Sequence, residues 1–361
     1  MSRPYADRRR PYTPRVAGRT LTERELNRAL LARQLLLERA KLAIPRAVER
    51  IGGLQTQYAP SAYIGLWSRL AGFERAELTS ALERRAVVQG TLMRGTIHIV
   101  SPRDYRSLAA GIRQDRRRWW LGATRGLITE PQVADVARRT RSLLADGPRR
   151  RRELVAELGV DSTMWNGVGG WVDLLRVPPS GTWERRSADL YAVAQDWIGP
   201  AEASFEEGIE LIVRRYLGGF GPASRKDIAN WAGVSTSTLT SAFERMRLRR
   251  FRDERGEELL DLPGAPLPGE GTPAPVRFLP TWDATLLVHA RRTQILPERF
   301  RPKVFHVKVP QSVPTFLVDG QVAGTWKYES GRVRLEAFEP FSRAVRRELT
   351  EEAQRLETWL E

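Results

Sequence analysis

The sequence predicts an α+β fold: three helical units, each closed by a short hairpin, followed by a β-rich C-terminal module. Three observations predict it. Apolar residues recur at three- and four-residue spacing over most of the chain as far as Met246, the mark of amphipathic helices. Each group of helical runs gives way to a strand–turn–strand pattern. Beyond the Pro/Gly stretch PGAPLPGEGTPAP (263–275) the chain changes to strand-like segments.

Taken in order, residues 1–20 read as a basic, disordered arm: charged, with no apolar stretch behind it of the kind a secretory signal carries. Residues 21–125 form the first unit. LTERELNRALLARQLLLER opens with Thr22 three before Glu25, a capping box. AIPRAVERIGG follows as a helix ended by Gly52-Gly53, then SAYIGLWSRL and RAELTSALERR as helices, and VVQGTLMRGTIHIVS as strand, turn and strand. Residues 126–201 repeat the order: the helices EPQVADVARRTRSLLAD and GPRRRRELVAELG, a further helical segment, then two strand-like pieces flanking Ser180-Gly181. Residues 202–264 repeat it most clearly, with Gly233 at the turn between the helices of RKDIANWAGVSTSTLTSAFERM and a hairpin around Gly256. Helices followed by a hairpin describe a winged helix, so the chain reads as three tandem winged-helix (helix-turn-helix) units. In residues 265–361, VRFLPTWDATLLVH, KVFHVKV and TFLVDGQVAGTWKYESGRVRLEAF read as strands. A terminal helix keeps Phe341, Val345, Leu349, Ala353 and Leu356 on one stripe.

Composition narrows the function. Cysteine is absent, which removes disulfides, thiolate metal sites and cysteine nucleophiles together. His98, His289 and His306 are not spaced as metal ligands on one helix face, so neither metal nor cofactor is expected. No apolar run approaches the roughly 20 residues a membrane span needs. The formal charge of +16 favours a polyanionic partner, nucleic acid. Codon bias accounts for arginine over lysine but not for the excess of bases over acids.

The stretch GGLQTQYAP (52–60) is unusual. Gln55 and Gln57 are poor core residues and cannot act as bases. They are either a solvated turn between helices or a pair that holds something by hydrogen bonds.

The segments LMRGTIHIVSPRDY, LPTWDATLLVHARRTQILPERFR and FLVDGQVAGTWK, with QTQ upstream, resemble the AlkZ-like (azinomycin-resistance and YcaQ-like) winged-helix DNA glycosylase family. The likeness runs from about Leu21 to the C-terminus; only the arginine-rich arm stands outside it. It implies three winged helices curled around a DNA channel and excision of alkylated purines, in some members with unhooking of interstrand crosslinks. It also implies base excision repair and antibiotic self-resistance in the bacterial cytoplasm, at the nucleoid. The family's catalytic motif is Gln-x-Gln/Asp, and Gln55-Thr56-Gln57 matches the double-glutamine form, associated with bulky N7-guanine adducts.

Two neutral carboxamides are chemically sufficient for that task. An N7-alkylpurine carries positive charge on its ring and departs as a neutral base, so no general acid is required. What remains is to hold a water beneath C1′. On extended backbone Gln55 and Gln57 would point to one side and grip it from two directions. With no general acid, unmodified bases should be spared, and with no placed amine the chain should not cleave the strand.

Further candidates follow from pattern. Arg94, Thr96 and His98 alternate along a predicted strand and either contact DNA or form a wing over a packed histidine. RQDRRRWW puts Arg116, Arg117 and Arg118 beside Trp119 and Trp120, suited to phosphate contact or to a solvated helix face. Trp282, Asp283 and His289 would border the active-site groove, with capping of the next segment the alternative for Asp283. The resemblance implies a C-terminal hairpin that reaches the DNA; Lys327 and Tyr328 lie at its tip, or in an ordinary solvated turn. The substrate partner implied is double-stranded DNA carrying alkylpurine adducts. With no dimerising coiled coil evident, a monomer is expected. Two other readings stand beside the enzyme: a non-catalytic winged-helix transcription regulator, and a drug-sequestering protein using the eleven tryptophans.

Overall fold

The computed structural model describes residues 18–287, 293–305 and 312–361. Thr20–Leu21 (β1) precedes α1 (Glu23–Arg33), where the predicted capping box joins Thr22 and Glu25. α1 stops short of its predicted length because Leu35 takes a left-handed φ of 59°. α2 (Ile44–Ile51) ends at Gly52, also left-handed, and β2 (Leu54–Gln55) leads through a bend into α3 (Ala59–Arg69). After α4 (Arg75–Glu83) come the two expected strands β3 (Val88–Thr91) and β4 (Ile97–Val100), then a 22-residue helix, α5 (Pro102–Ala123). The second unit holds α6 (Glu130–Leu143), β5 (Arg149–Arg150), α7 (Arg151–Leu158), α8 (Ser162–Val168), β6 (Leu174–Arg176), β7 (Leu190–Val193) and α9 (Ala194–Ile198). In the third are α10 (Phe205–Phe220), α11 (Arg225–Ala232), α12 (Thr240–Arg245), β8 (Arg249–Asp253) and β9 (Glu258–Asp261).

The hairpins do not stay with their own units. Those of the first and second join in one six-stranded sheet ordered β2-β4-β3-β6-β7-β5, with Gln89 opposite Arg176 and Gly90 opposite Leu175 where β3 meets β6. The third hairpin stands apart and pairs in parallel with β1, so Thr20, read as the last residue of the arm, is strand together with Leu21. Residues 1–17 of that arm lie outside the described residues.

At the C-terminus β10 (Arg277–Leu279), β11 (Thr315–Val318), β12 (Gln321–Glu329) and β13 (Arg332–Ala337) form an antiparallel sheet in that order. Between β10 and β11, the segment expected as the strand KVFHVKV begins instead as a helical turn, α13 (Arg301–Val304), started by Pro302 near its N-terminus. The terminal helix α14 (Arg343–Leu360) buries Leu349, Ala353 and Leu356, as its stripe predicts.

α10 is the central post. It crosses α5 where two glycines meet: a Cβ on Gly208 would lie 2.4 Å from the Gly111 nitrogen, so the backbones touch. Among the described residues four buried clusters fill the interior, and the largest runs from α1 through α5 and α10 to Val322 of β12. Arginines clamp distant segments together. Arg33 of α1 binds Asp261 of β9 through two contacts of 2.6 and 3.0 Å, both side chains 0% exposed. Arg215 of α10 binds Asp104 of α5 at 2.5 and 2.8 Å. A buried pair of this kind holds geometry more than it adds net stability.

Candidate active site

The QTQ segment lies at the edge of the shared sheet. β2 pairs with β4 so that Gln55 faces His98, and the Thr56 amide donates to the Ile97 carbonyl at 2.8 Å. β2 ends at Gln55 and the chain bends at Gln57-Tyr58 to enter α3. The alternation of an extended strand therefore does not carry from one glutamine to the other. Gln55 is buried and its Oε1 accepts from Arg94 Nη2 at 3.2 Å. Gln57 is exposed, with Oε1 accepting from the Ile97 amide at 3.2 Å. The two carboxamides thus turn to different cavities rather than to one water.

Gln57 opens onto a cleft of about 1070 Å³ between the first and second units. Among the described residues its wall carries six arginines (94, 113, 116, 151, 176 and 186) against two carboxylates, Asp173 and Asp189. Each carboxylate is already held: Asp173 by Arg113 at 2.8 Å and Asp189 by Arg150 at 3.1 Å. Trp119, Trp120, Trp165 and Trp171 line the same space, and Trp119 is 69% exposed. A wall of guanidinium groups and indole rings suits a phosphate backbone and a flat, cationic or aromatic base.

Gln55 borders a much smaller cavity, about 10 Å³, shared with Ser61, Arg69, Trp282 and Asp283. Asp283 is buried against Arg69, bonded at 2.9 Å through each oxygen, and its Oδ1 accepts from the Thr285 amide. Capping is thus a role it fills, and it meets the QTQ segment from behind rather than across the cleft. Trp282 lies beside it with a left-handed φ of 63°. His289 lies outside the described residues.

Arg94 is not on a strand. It sits in the turn Met93–Gly95 with φ of 53°, and its Nη1 donates to the Trp231 carbonyl at 3.0 Å. Gly233, which caps the C-terminus of α11, packs onto it: a Cβ there would come within 3.0 Å of the Arg94 nitrogen. Thr96 bonds back to Met93, and His98 is buried in β4 with Nδ1 donating to the Thr96 carbonyl. Burial, reinforced by the Arg94 charge, lowers its pKa to about 3, so the ring is neutral. Arg94 therefore reaches the cleft, while Thr96 and His98 support it.

On α5 the three arginines part ways. Arg116 enters the cleft and donates to the Thr91 carbonyl at 3.0 Å; Arg117 donates to the Gly170 carbonyl and lies over Trp171; Arg118, itself exposed, pairs with the largely covered Asp115. Lys327 and Tyr328 sit at the end of β12 before the Ser330-Gly331 turn, exposed and away from the cleft lining. Sequence reasoning missed Tyr58, Thr91, Arg176 and Arg186. Tyr58 follows QTQ directly, and its hydroxyl accepts from Arg186 Nη1 at 2.9 Å, tying the second unit to the motif. Arg176 had a signal, a lone cation in the apolar strand LLRV; Arg186 had none, because only the long β6–β7 connection brings it across.

A family model described as "DNA glycosylase AlkZ-like" matches residues 48–359. Among solved structures, the Streptomyces sahachiroi DNA glycosylase AlkZ matches with a TM-score of 0.79 and 20% identity, over 93% of this chain and 96% of that one, a likeness of fold. No curated protein matches. Among the described residues no helix is long and apolar enough to cross a membrane. The chain belongs to the AlkZ-like DNA glycosylases, hydrolases of DNA repair.

Proposed function

We propose that this glycosylase removes cationic N7-alkylated purines, chiefly bulky natural-product guanine adducts and their interstrand crosslinks, from double-stranded DNA. The observation that carries the reading is the cleft beside Gln57, whose two carboxylates are both engaged by arginines. A base that already carries positive charge leaves without a proton donor. Its volume suits a drug-sized group, for which pockets run to about 1,000 Å³.

In this reading Gln57 holds the attacking water through its carboxamide, and the Ile97 amide keeps that side chain at the cleft edge. Gln55 acts from behind, fixing Arg94 toward the phosphate backbone. The helix–helix–hairpin units at 21–125, 126–201 and 202–264 serve as tandem winged helices around the duplex, with the module 265–361 closing the far side. Lys327 and Tyr328 reach the DNA from their hairpin. No lysine lines the cleft among the described residues, which supports a monofunctional enzyme without strand cleavage. The protein acts as a monomer in the bacterial cytoplasm.

The test compares duplexes carrying a methyl or a polycyclic adduct at guanine N7. The polycyclic adduct is expected to be released at least as fast as the methyl adduct. Release of the small adduct alone would rule out the bulky-substrate assignment.

A further inference from the structure

Two arginines converge on one threonine at the floor of the cleft. The Thr91 carbonyl accepts from Arg116 Nη1 at 3.0 Å, and its hydroxyl accepts from Arg176 Nη1 at 2.7 Å. The first comes from α5 and the second from β6, brought together because β3, which ends at Thr91, pairs with both β4 and β6. Arg176 is steadied by the Ala188 carbonyl at 3.1 Å and lies over the Tyr191 ring at 5.0 Å. Arg116 fits because Gly169 has no side chain; a Cβ there would come within 2.8 Å of its Nη2.

Neither guanidinium pairs with a carboxylate among the described residues, although their neighbours do. Arg113, one turn before Arg116, takes Asp173. Burial lowers the pKa of both arginines, and the charge of Arg176 lowers that of Arg116 further. Guanidinium remains protonated regardless. Two half-buried cations side by side repel unless an anion sits against them, and their forked donors match the oxygens of a phosphate.

We propose that Arg116 and Arg176, seated on Thr91, form a binding site for a single phosphodiester of the damaged strand. The site rests on the glycosylase reading above and adds to it a fixed point for the sugar–phosphate beside Gln57. The backbone is held there while the modified base occupies the tryptophan-lined part of the cleft.

The experiment is a phosphate-by-phosphate replacement. Duplexes carry one N7-methylguanine and a neutral methylphosphonate at each nearby position in turn, and single-turnover base release is measured. For the wild type, one position is expected to slow release by about 10- to 100-fold, as loss of a charge-assisted contact should. In Arg176→Gln that position should cost nothing more. Independent, multiplying losses at every position would overturn the site. Should Arg176→Gln fail to fold by circular dichroism, Arg176→Lys takes its place: it should shrink the penalty at that position, and an undiminished penalty would count against the proposal. Were the wild type to release no base, the excision reading would fail; the same series measured as DNA affinity would then still decide the phosphate site.

Discussion

Arg94 donates to the carboxamide oxygen of Gln55 at 3.2 Å, joining the β3–β4 turn to the buried member of the QTQ motif. Arg94 also lines the cleft that Gln57 opens onto, so the two glutamines stand at different depths beside one arginine. Replacing Gln55 with alanine removes one of the contacts that orient Arg94 and leaves that to the Trp231 carbonyl. Single-turnover excision is expected to fall about tenfold, with weakened DNA affinity and a shallower salt dependence. A loss of rate with no change in affinity would place Gln55 at the water instead.

His98 should not titrate with activity. Its pKa of about 3 keeps the ring neutral in the folded protein, whereas the unfolded chain takes up a proton near 6.5. Between those values the unfolded state binds more protons, so stability falls as pH drops from about 6.5 toward 3 and is intact above that range. Melting temperatures of wild type and His98→Gln across this range are expected to converge at low pH. Parallel curves would remove His98 from the account of acid sensitivity.

The Arg33–Asp261 pair ties α1 to the third hairpin without any solvent exposure. Asp261→Ala leaves a buried guanidinium uncompensated and should lower the unfolding free energy by about 3–5 kcal/mol. Replacing both partners with apolar residues should recover much of that loss. Urea unfolding with an unchanged m-value reads the difference.

At the α5–α10 crossing, Gly208→Ala inserts a methyl group where the Gly111 backbone already stands at 2.4 Å. The helices must separate, at a cost of about 1–3 kcal/mol. The same substitution at Gly122, where nothing lies within 4 Å of a built Cβ, should be neutral or stabilising. Thermal melts of the two variants make the comparison.

Local chemistry was legible in the sequence. The Thr22–Glu25 capping box, the left-handed glycines at 52, 233 and 256, and the stripe of α14 all stand where spacing placed them. Long-range pairing was not. Nothing in VVQGT or LLRV reveals that their strands adjoin, yet that contact merges two hairpins into one sheet and brings Arg176 to Thr91. The division between Gln55 and Gln57 was equally hidden, since β2 ends at the first glutamine and the chain bends at Gln57-Tyr58. Arg94 was named as a candidate but placed on the strand, whereas it stands in the turn between β3 and β4 with a left-handed backbone.

The decisive experiment is single-turnover incubation with duplex DNA containing N7-methylguanine, comparing wild type with Gln57→Ala. Wild type should release the modified base, leave unmodified guanine in place and yield strand breaks only after alkali, while the variant slows on the order of 100-fold with DNA affinity retained. Equal rates for the two proteins, or release of unmodified guanine as fast as the methylated base, would contradict water positioning by Gln57.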